Sequence, residues 1–122
     1  RKFAETFKNK YNMEPSAAAA GMAYDAANYF IKAANRSLDK YGEISKETLM
    51  KILTDEVATG KLTYGFKDGG IVMREYKYTT ETAPDPVVDP AHWFIPALQY
   101  MNGEGKIVFP EDLKQADFKV KK

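Results

Sequence analysis

The apolar residues at the start of the chain fall on a four-residue spacing. Phe3, Phe7 and Tyr11 recur at i, i+4 and i+8 among lysines and glutamate, the pattern of a helix with one buried stripe. A first helix is predicted over 2–13. Pro15 disfavours helical geometry at Glu14 and ends it, and Ser16 is placed to cap the next helix. The alanines from Ala17 onward have the highest helix propensity, and Met22, Ala26, Tyr29, Phe30 and Ala33 lie on overlapping faces, so a central helix is predicted over 16–36. "SLDKYGE" breaks that pattern and "ISKETLMKILTDEV" restarts it over 45–57. Ser45 is the N-cap there, Thr48 occupies the position where Glu or Gln would complete a capping box, and Leu49, Ile52 and Leu53 form a short apolar face.

Beyond Gly60 the period changes. "KLTYGF" and "IVMREYKYT" are rich in β-branched and aromatic residues, which predicts strands over 61–66 and 70–79 with a turn at Asp68, Gly69 and Gly70. "TETAPDPVVDPAHW" carries three prolines and no period, and reads as a loop or excursion. "WFIPALQYM" and "KIVFP" then bracket "NGEG" as a second strand pair over 93–101 and 105–109, with Pro96 demanding an edge or a bulge. "EDLKQA" adds one helical turn. Helices first and strands afterwards predict an α+β unit, without the strand-helix alternation of a complete doubly wound domain.

A chain of 122 residues, 44% hydrophobic and 29% charged, is one domain or a piece of one with a single modest core. Eighteen basic residues against 17 acidic ones leave no long-range field to draw it to nucleic acid or an anionic membrane. The absence of cysteine excludes disulfides and thiolate metal sites but does not decide the compartment. No apolar stretch approaches the roughly 20 residues that span a bilayer, and the N-terminus lacks the pattern of a signal peptide. Arg1 runs straight into an amphipathic pattern, so the chain is expected to begin inside an element of a longer protein, although a processed mature protein would look the same.

Little in the sequence carries acid-base, nucleophilic or metal chemistry. His92 is the single histidine, in a proline-rich loop, and reads as structural or exposed. Asp85 and Asp89 fall short of the ordered oxygen ligands of a calcium loop, and "NGEG" and "KDGG" lack the context of a phosphate loop. No cofactor, metal or catalytic residue is expected. The lysines of the C-terminal tail read as a fraying, solvated end and not as a nucleic-acid patch. Tyr24, Tyr64, Tyr76, Tyr78, Trp93 and Tyr100 could line a small-molecule pocket, although each taken alone reads more readily as core or interface.

"FAETFKNKYNMEPSAAAAGMAYDAANYFIKAANRS" resembles the closing part of the type I periplasmic solute-binding proteins of ABC transporters, of the branched-chain amino acid kind. The residues that carry the likeness are Phe3, Phe7, Tyr11, Pro15, Ser16 and then Tyr24, Asp25 and Ala26 in the small-residue helix. "TGKLTYGFKDGG" is similar to that family's hairpin, and "FIPALQYMNGEGKIVFPEDL" to its closing strands. Tyr64 stands where a Phe is usual, and an insertion carries Pro84, Pro86 and Pro90.

The resemblance implies an α/β parent of two doubly wound lobes, of which residues 1–122 would be the C-terminal portion. It implies a non-enzymatic protein, periplasmic or extracellular and lipid-anchored or free, that captures a small solute such as an amino acid, organic acid or amide and delivers it to a membrane permease. Gly21 and Tyr24, near the start of the long helix, are then the expected ligand-binding residues. The rival readings are a ligand-sensing regulatory domain of the same fold and a stand-alone α+β interaction module. A piece cut from such a lobe leaves strand edges and a helix face uncovered, and is expected to self-associate or exchange elements with a copy of itself.

Overall fold

The computed structural model describes residues 2–16, 19–93 and 95–120. Over these it is a small α+β unit of three helices followed by two small antiparallel sheets. The first helix, α1, spans Lys2–Tyr11 and ends two residues earlier than expected, because Asn12 turns left-handed at φ 52° with its N–H on the Lys8 carbonyl. Phe3, Phe7 and Tyr11 line up with tilted rings, centroids 6.0 and 4.7 Å apart, but the stripe is not the buried one expected: no residue of α1 is buried and Tyr11 is 53% exposed.

The central helix, α2, spans Ala20–Tyr41. Ser16 accepts a hydrogen bond from the Ala19 N–H at 3.3 Å ahead of it, and Ala17 and Ala18, part of the expected helix, lie outside the described residues. The expected end at residue 36 is wrong by more than a turn. Ser37 does not break the helix: its hydroxyl is fully buried and donates to the Glu43 carbonyl at 3.0 Å, so it ties the end down from inside. Termination waits for Gly42, which takes the left-handed conformation (φ 75°) and bonds back to the Leu38 carbonyl.

Next comes α3, Lys46–Ile52, with the cap that the sequence suggested. The Ser45 hydroxyl accepts from the Thr48 N–H at 3.2 Å, and the Thr48 hydroxyl accepts from the Ser45 N–H at 3.0 Å, so threonine does the work usually given to Glu or Gln. The helix then widens into one π turn, Leu53–Val57, closed by Ala58 N–H on the Leu53 carbonyl. This brings Glu56 against α2, where Arg36 Nε and Lys40 Nζ each donate to its carboxylate at 2.8 Å. Ile52 and Ala33 close the contact as buried apolar residues.

The first hairpin is shorter than its sequence predicts. Strands expected over 61–66 and 70–79 reduce to β1, Tyr64–Gly65, and β2, Glu75–Tyr76, paired Tyr64 to Tyr76. The reason is tertiary. The outward rungs, 61–63 with 77–79, are lost because the Lys61 and Leu62 N–H groups go to the Glu56 carbonyl, the Leu62 carbonyl accepts from the Tyr29 hydroxyl and the Lys77 carbonyl accepts from Val87 N–H. At the turn, the Ile71 and Val72 N–H groups are taken by the Asp25 carboxylate of α2. Phe66–Asp68 forms a 3₁₀ turn and Gly69 is left-handed, so the turn falls where expected.

The proline-rich segment from Thr79 to Trp93 crosses back over β2 as a strap, pinned by Val87 N–H on the Lys77 carbonyl. Next, β3 (Ala97–Met101) and β4 (Glu104–Phe109) form a hairpin over Asn102 and Gly103, both at positive φ as a two-residue turn requires. The first of these strands begins at residue 97 and not 93, with a bulge between Ala97 and Leu98 just after Pro96; Phe94 lies outside the described residues. One 3₁₀ turn, Glu111–Leu113, comes after β4, as "EDLKQA" suggested. The tail is exposed at Phe118 and Val120 but not loose, since the Gln99 amide pairs with the Lys119 backbone in both directions.

The core is small and aromatic. Tyr64, Met73 and Tyr76 are buried, with Tyr29, Val72, Tyr78 and Trp93 packed against them. The chain exposes 8842 Å² in all, against roughly 6600 Å² for a compact monomer of 13.8 kDa.

Candidate functional site

Asp25 lies in the second turn of α2 on its apolar side, where an aspartate has poor helix propensity and no exposure to solvent. Its burial is complete and its carboxylate is correspondingly well supplied. Oδ1 accepts from Ile71 N–H at 2.8 Å, and Oδ2 accepts from Val72 N–H at 2.9 Å and from the Tyr76 hydroxyl at 3.1 Å. Three donors, one of them from the core, thus bind the hairpin to the helix. Gly21, one turn earlier, allows the close approach: a Cβ there would lie 2.7 Å from a Val72 methyl.

Beside this anchor opens a cleft of about 370 Å³. Met22, Ala26, Phe30 and Ala33 of α2 form one wall. The π turn contributes Leu53 and Val57, and the rings of Tyr78 and Trp93 face them. Trp93 meets the Tyr76 ring edge-on, with centroids 5.3 Å apart at 79°, and Tyr29 stacks on Tyr64 at 5.7 Å.

The phenols are held neutral. Burial is the first cause in each case: it pushes the Tyr29, Tyr64, Tyr76 and Tyr78 hydroxyls above the ordinary phenol range, and the Asp25 charge adds to this at Tyr76 and Tyr64. Tyr29 donates to the Leu62 carbonyl at 2.6 Å and Tyr76 to Asp25, so both are committed. The Tyr78 hydroxyl and the Trp93 indole N–H have no hydrogen-bond partner among the described residues. The cleft can therefore enclose apolar matter and orient it through two donors. Its tyrosines are neither bases nor nucleophiles near neutral pH.

The structure distributes the sequence candidates unevenly. Tyr64 and Tyr76 are core, Tyr78 and Trp93 form the cleft wall, and Tyr100 stands out in solvent at 80% exposure. Tyr24 is 40% exposed and lies against Phe3 of α1 at 5.1 Å, on a different side of the helix from the cleft. Gly21 meets Val72 and likewise does not line the cleft. The neighbour of Tyr24, Asp25, is the residue that organises the site. Its signal was an acid placed among Met22, Ala26, Tyr29 and Ala33 on an otherwise apolar face.

Asp89, considered for calcium, spends its oxygens on Ala91 N–H, His92 N–H and the His92 ring. Among the described residues no group of three His, Asp or Glu side chains is placed to hold a metal ion, and no helix is long and apolar enough to cross a membrane. No protein-family model matches the chain, and no curated protein or solved structure is significantly similar to it.

Proposed function

We propose that this chain is part of a solute-binding receptor of the type I periplasmic kind, which captures a small amino acid, organic acid or amide and passes it to the permease of an ABC transporter. The observation that carries the reading is uncovered surface. The excess over a compact monomer is about 2200 Å², of the size that large permanent interfaces bury. It includes α2 residues on more than one face: Phe30 and Ile31 are each 54% exposed, and Leu38 and Met22 are also open. A helix apolar on several sides is built to be covered on several sides. That favours a central helix of a larger α/β lobe over a self-contained interaction module.

The element order supports the same reading, since α1, the long α2, the capped α3, the short hairpin and the closing strand pair come in the succession that the resemblance implies. Among the described residues, the sole ring contact between α1 and the rest is Phe3 on Tyr24, which suits a helix belonging to the opposite lobe. Closure of two lobes on a solute works by differential affinity, because the solute touches both only in the closed state.

The test is the coding sequence upstream of Arg1, combined with a thermal-shift screen of the full-length protein against amino acids, organic acids and amides. A signal peptide, a preceding lobe and stabilisation by one solute class are expected. Absence of a preceding lobe, or no shift with any class, overturns the proposal. By itself the chain is expected to cover its apolar faces with a second copy, and light scattering that gives a monodisperse monomer at micromolar concentration would count against the uncovered-surface argument.

A further inference from the structure

The strap carries a histidine at a junction between two carboxylates. Asp89 accepts the N–H groups of Ala91 (2.8 Å) and His92 (3.0 Å), which folds the strap so that His92 Nδ1 lies 2.8 and 2.9 Å from the two Asp89 oxygens. The other ring nitrogen, Nε2, lies 3.3 Å from Glu75 Oε2 on β2. The second Glu75 oxygen already accepts from the Thr63 hydroxyl at 2.8 Å. Among the described residues, the charged groups brought to the ring are therefore Asp89 from the strap itself and Glu75 from the strand beneath it.

A neutral imidazole has one N–H and one lone pair. Between two carboxylates it can donate to only one, and its lone pair then faces the other anion. The imidazolium donates to Asp89 and pairs by charge with Glu75. We propose that His92 is a proton-operated latch, which fastens the strap to β2 when the ring is charged and releases it when the ring is neutral.

The strap's next residue gives the latch its consequence. Trp93 packs edge-on against Tyr76 and forms a wall of the cleft, so strap movement carries that wall with it. The Asp89 carboxyl is held below the usual carboxylate range, first by the His92 hydrogen bond. The native Asp89 thus gives up its proton more readily than the unfolded one, and its contribution is present above the ordinary carboxylate range and lost in stronger acid. The charged ring belongs to the acid side and the neutral ring to the alkaline side, so the latch is shut in acid and opens as pH rises.

The latch rests on strap contacts and not on the receptor reading, and its readout needs no solute. Trp93 is the single tryptophan, so acrylamide quenching of its fluorescence reports the strap directly. From about pH 5.5 to about pH 8 the quenching constant of the intact chain is expected to rise about twofold as the open population grows. His92→Gln should quench at the higher level at both pH values. Glu75→Gln, which keeps the ring and the Asp89 contact, should flatten the rise. A constant that does not change with pH in the unmodified chain overturns the proposal, as does an undiminished rise in either variant. Should His92→Gln fail to fold by circular dichroism, Glu75→Gln alone decides.

Discussion

Replacing Asp25 by alanine takes an anion away from three donors at once. Ile71 N–H, Val72 N–H and the Tyr76 hydroxyl lose their partner in a site that water does not reach. Each hydrogen bond to a charged group contributes about 1.5–3 kcal/mol net, and the desolvation cost of the buried carboxylate offsets part of the sum. Removing one side of such a buried set costs about 3–5 kcal/mol. The gain in helix propensity from Asp to Ala, about 0.6 kcal/mol, is too small to hide it. With an unfolding entropy of about 0.26 kcal/mol/K for 122 residues, a loss of about 4 kcal/mol lowers Tm by about 15 °C.

A double-mutant cycle assigns the effect. Tyr76→Phe alone should cost about 1 kcal/mol, because it removes one donor and leaves the two amides in place. In the Asp25→Ala background the same change should cost almost nothing, which makes the coupling about 1 kcal/mol. Urea midpoints followed by circular dichroism measure all four corners. Equal costs for Tyr76→Phe in both backgrounds, or an Asp25→Ala penalty below about 1 kcal/mol, would refute the anchor.

Other variants probe the remaining contacts. Glu56 is held below the ordinary carboxylate range, first by the Arg36 hydrogen bond and then by that of Lys40. The unfolded carboxyl therefore takes up its proton at a higher pH than the native one. Its contribution is whole above about pH 4.3 and is lost as pH falls through the native value. Glu56→Gln should be less stable at neutral pH, and its urea midpoint should fall less steeply between about pH 5 and pH 3 than that of the unmodified chain; parallel slopes would refute this. Gly42 and Gly60 are both left-handed, at φ 75° and 72°, but an added Cβ meets open space at Gly42 and lies 2.5 Å from the Tyr78 carbonyl at Gly60. Calorimetry should find Gly42→Ala costing about 1 kcal/mol and Gly60→Ala about 3 kcal/mol. Similar costs would mean that the Gly60 turn does not press on the Tyr78 backbone.

What the sequence discloses is governed by distance along the chain. The Ser45–Thr48 box and the Asn102–Gly103 turn depend on residues within a few positions of one another, and each is readable by inspection. The seating of the hairpin is not, because the carboxylate that takes its Ile71 amide is 46 residues away and the Lys77 carbonyl is taken by Val87 of the strap. Ser37 misleads for a related reason: its hydroxyl looks like a helix breaker until the Glu43 carbonyl is seen to receive it. At the site, the aromatic Tyr24 drew attention, whereas its neighbour faces the cleft, since adjacent helical positions point about 100° apart. His92 could not be placed by composition, although "DPAH" carries the aspartate that turns back onto the ring.

The π turn at Leu53–Val57 sets a rule for how this chain can change length. A π turn is an α-helix with one residue too many, so deleting Leu53, Thr54 or Asp55 would restore ordinary winding and swing Glu56 and the downstream chain by about 100°. Glu56 would then leave Arg36 and Lys40, and both cations would lose the carboxylate they share. A deletion ahead of Glu56 in this turn is therefore forbidden. The spare residue is a spacer that no shorter helix can supply.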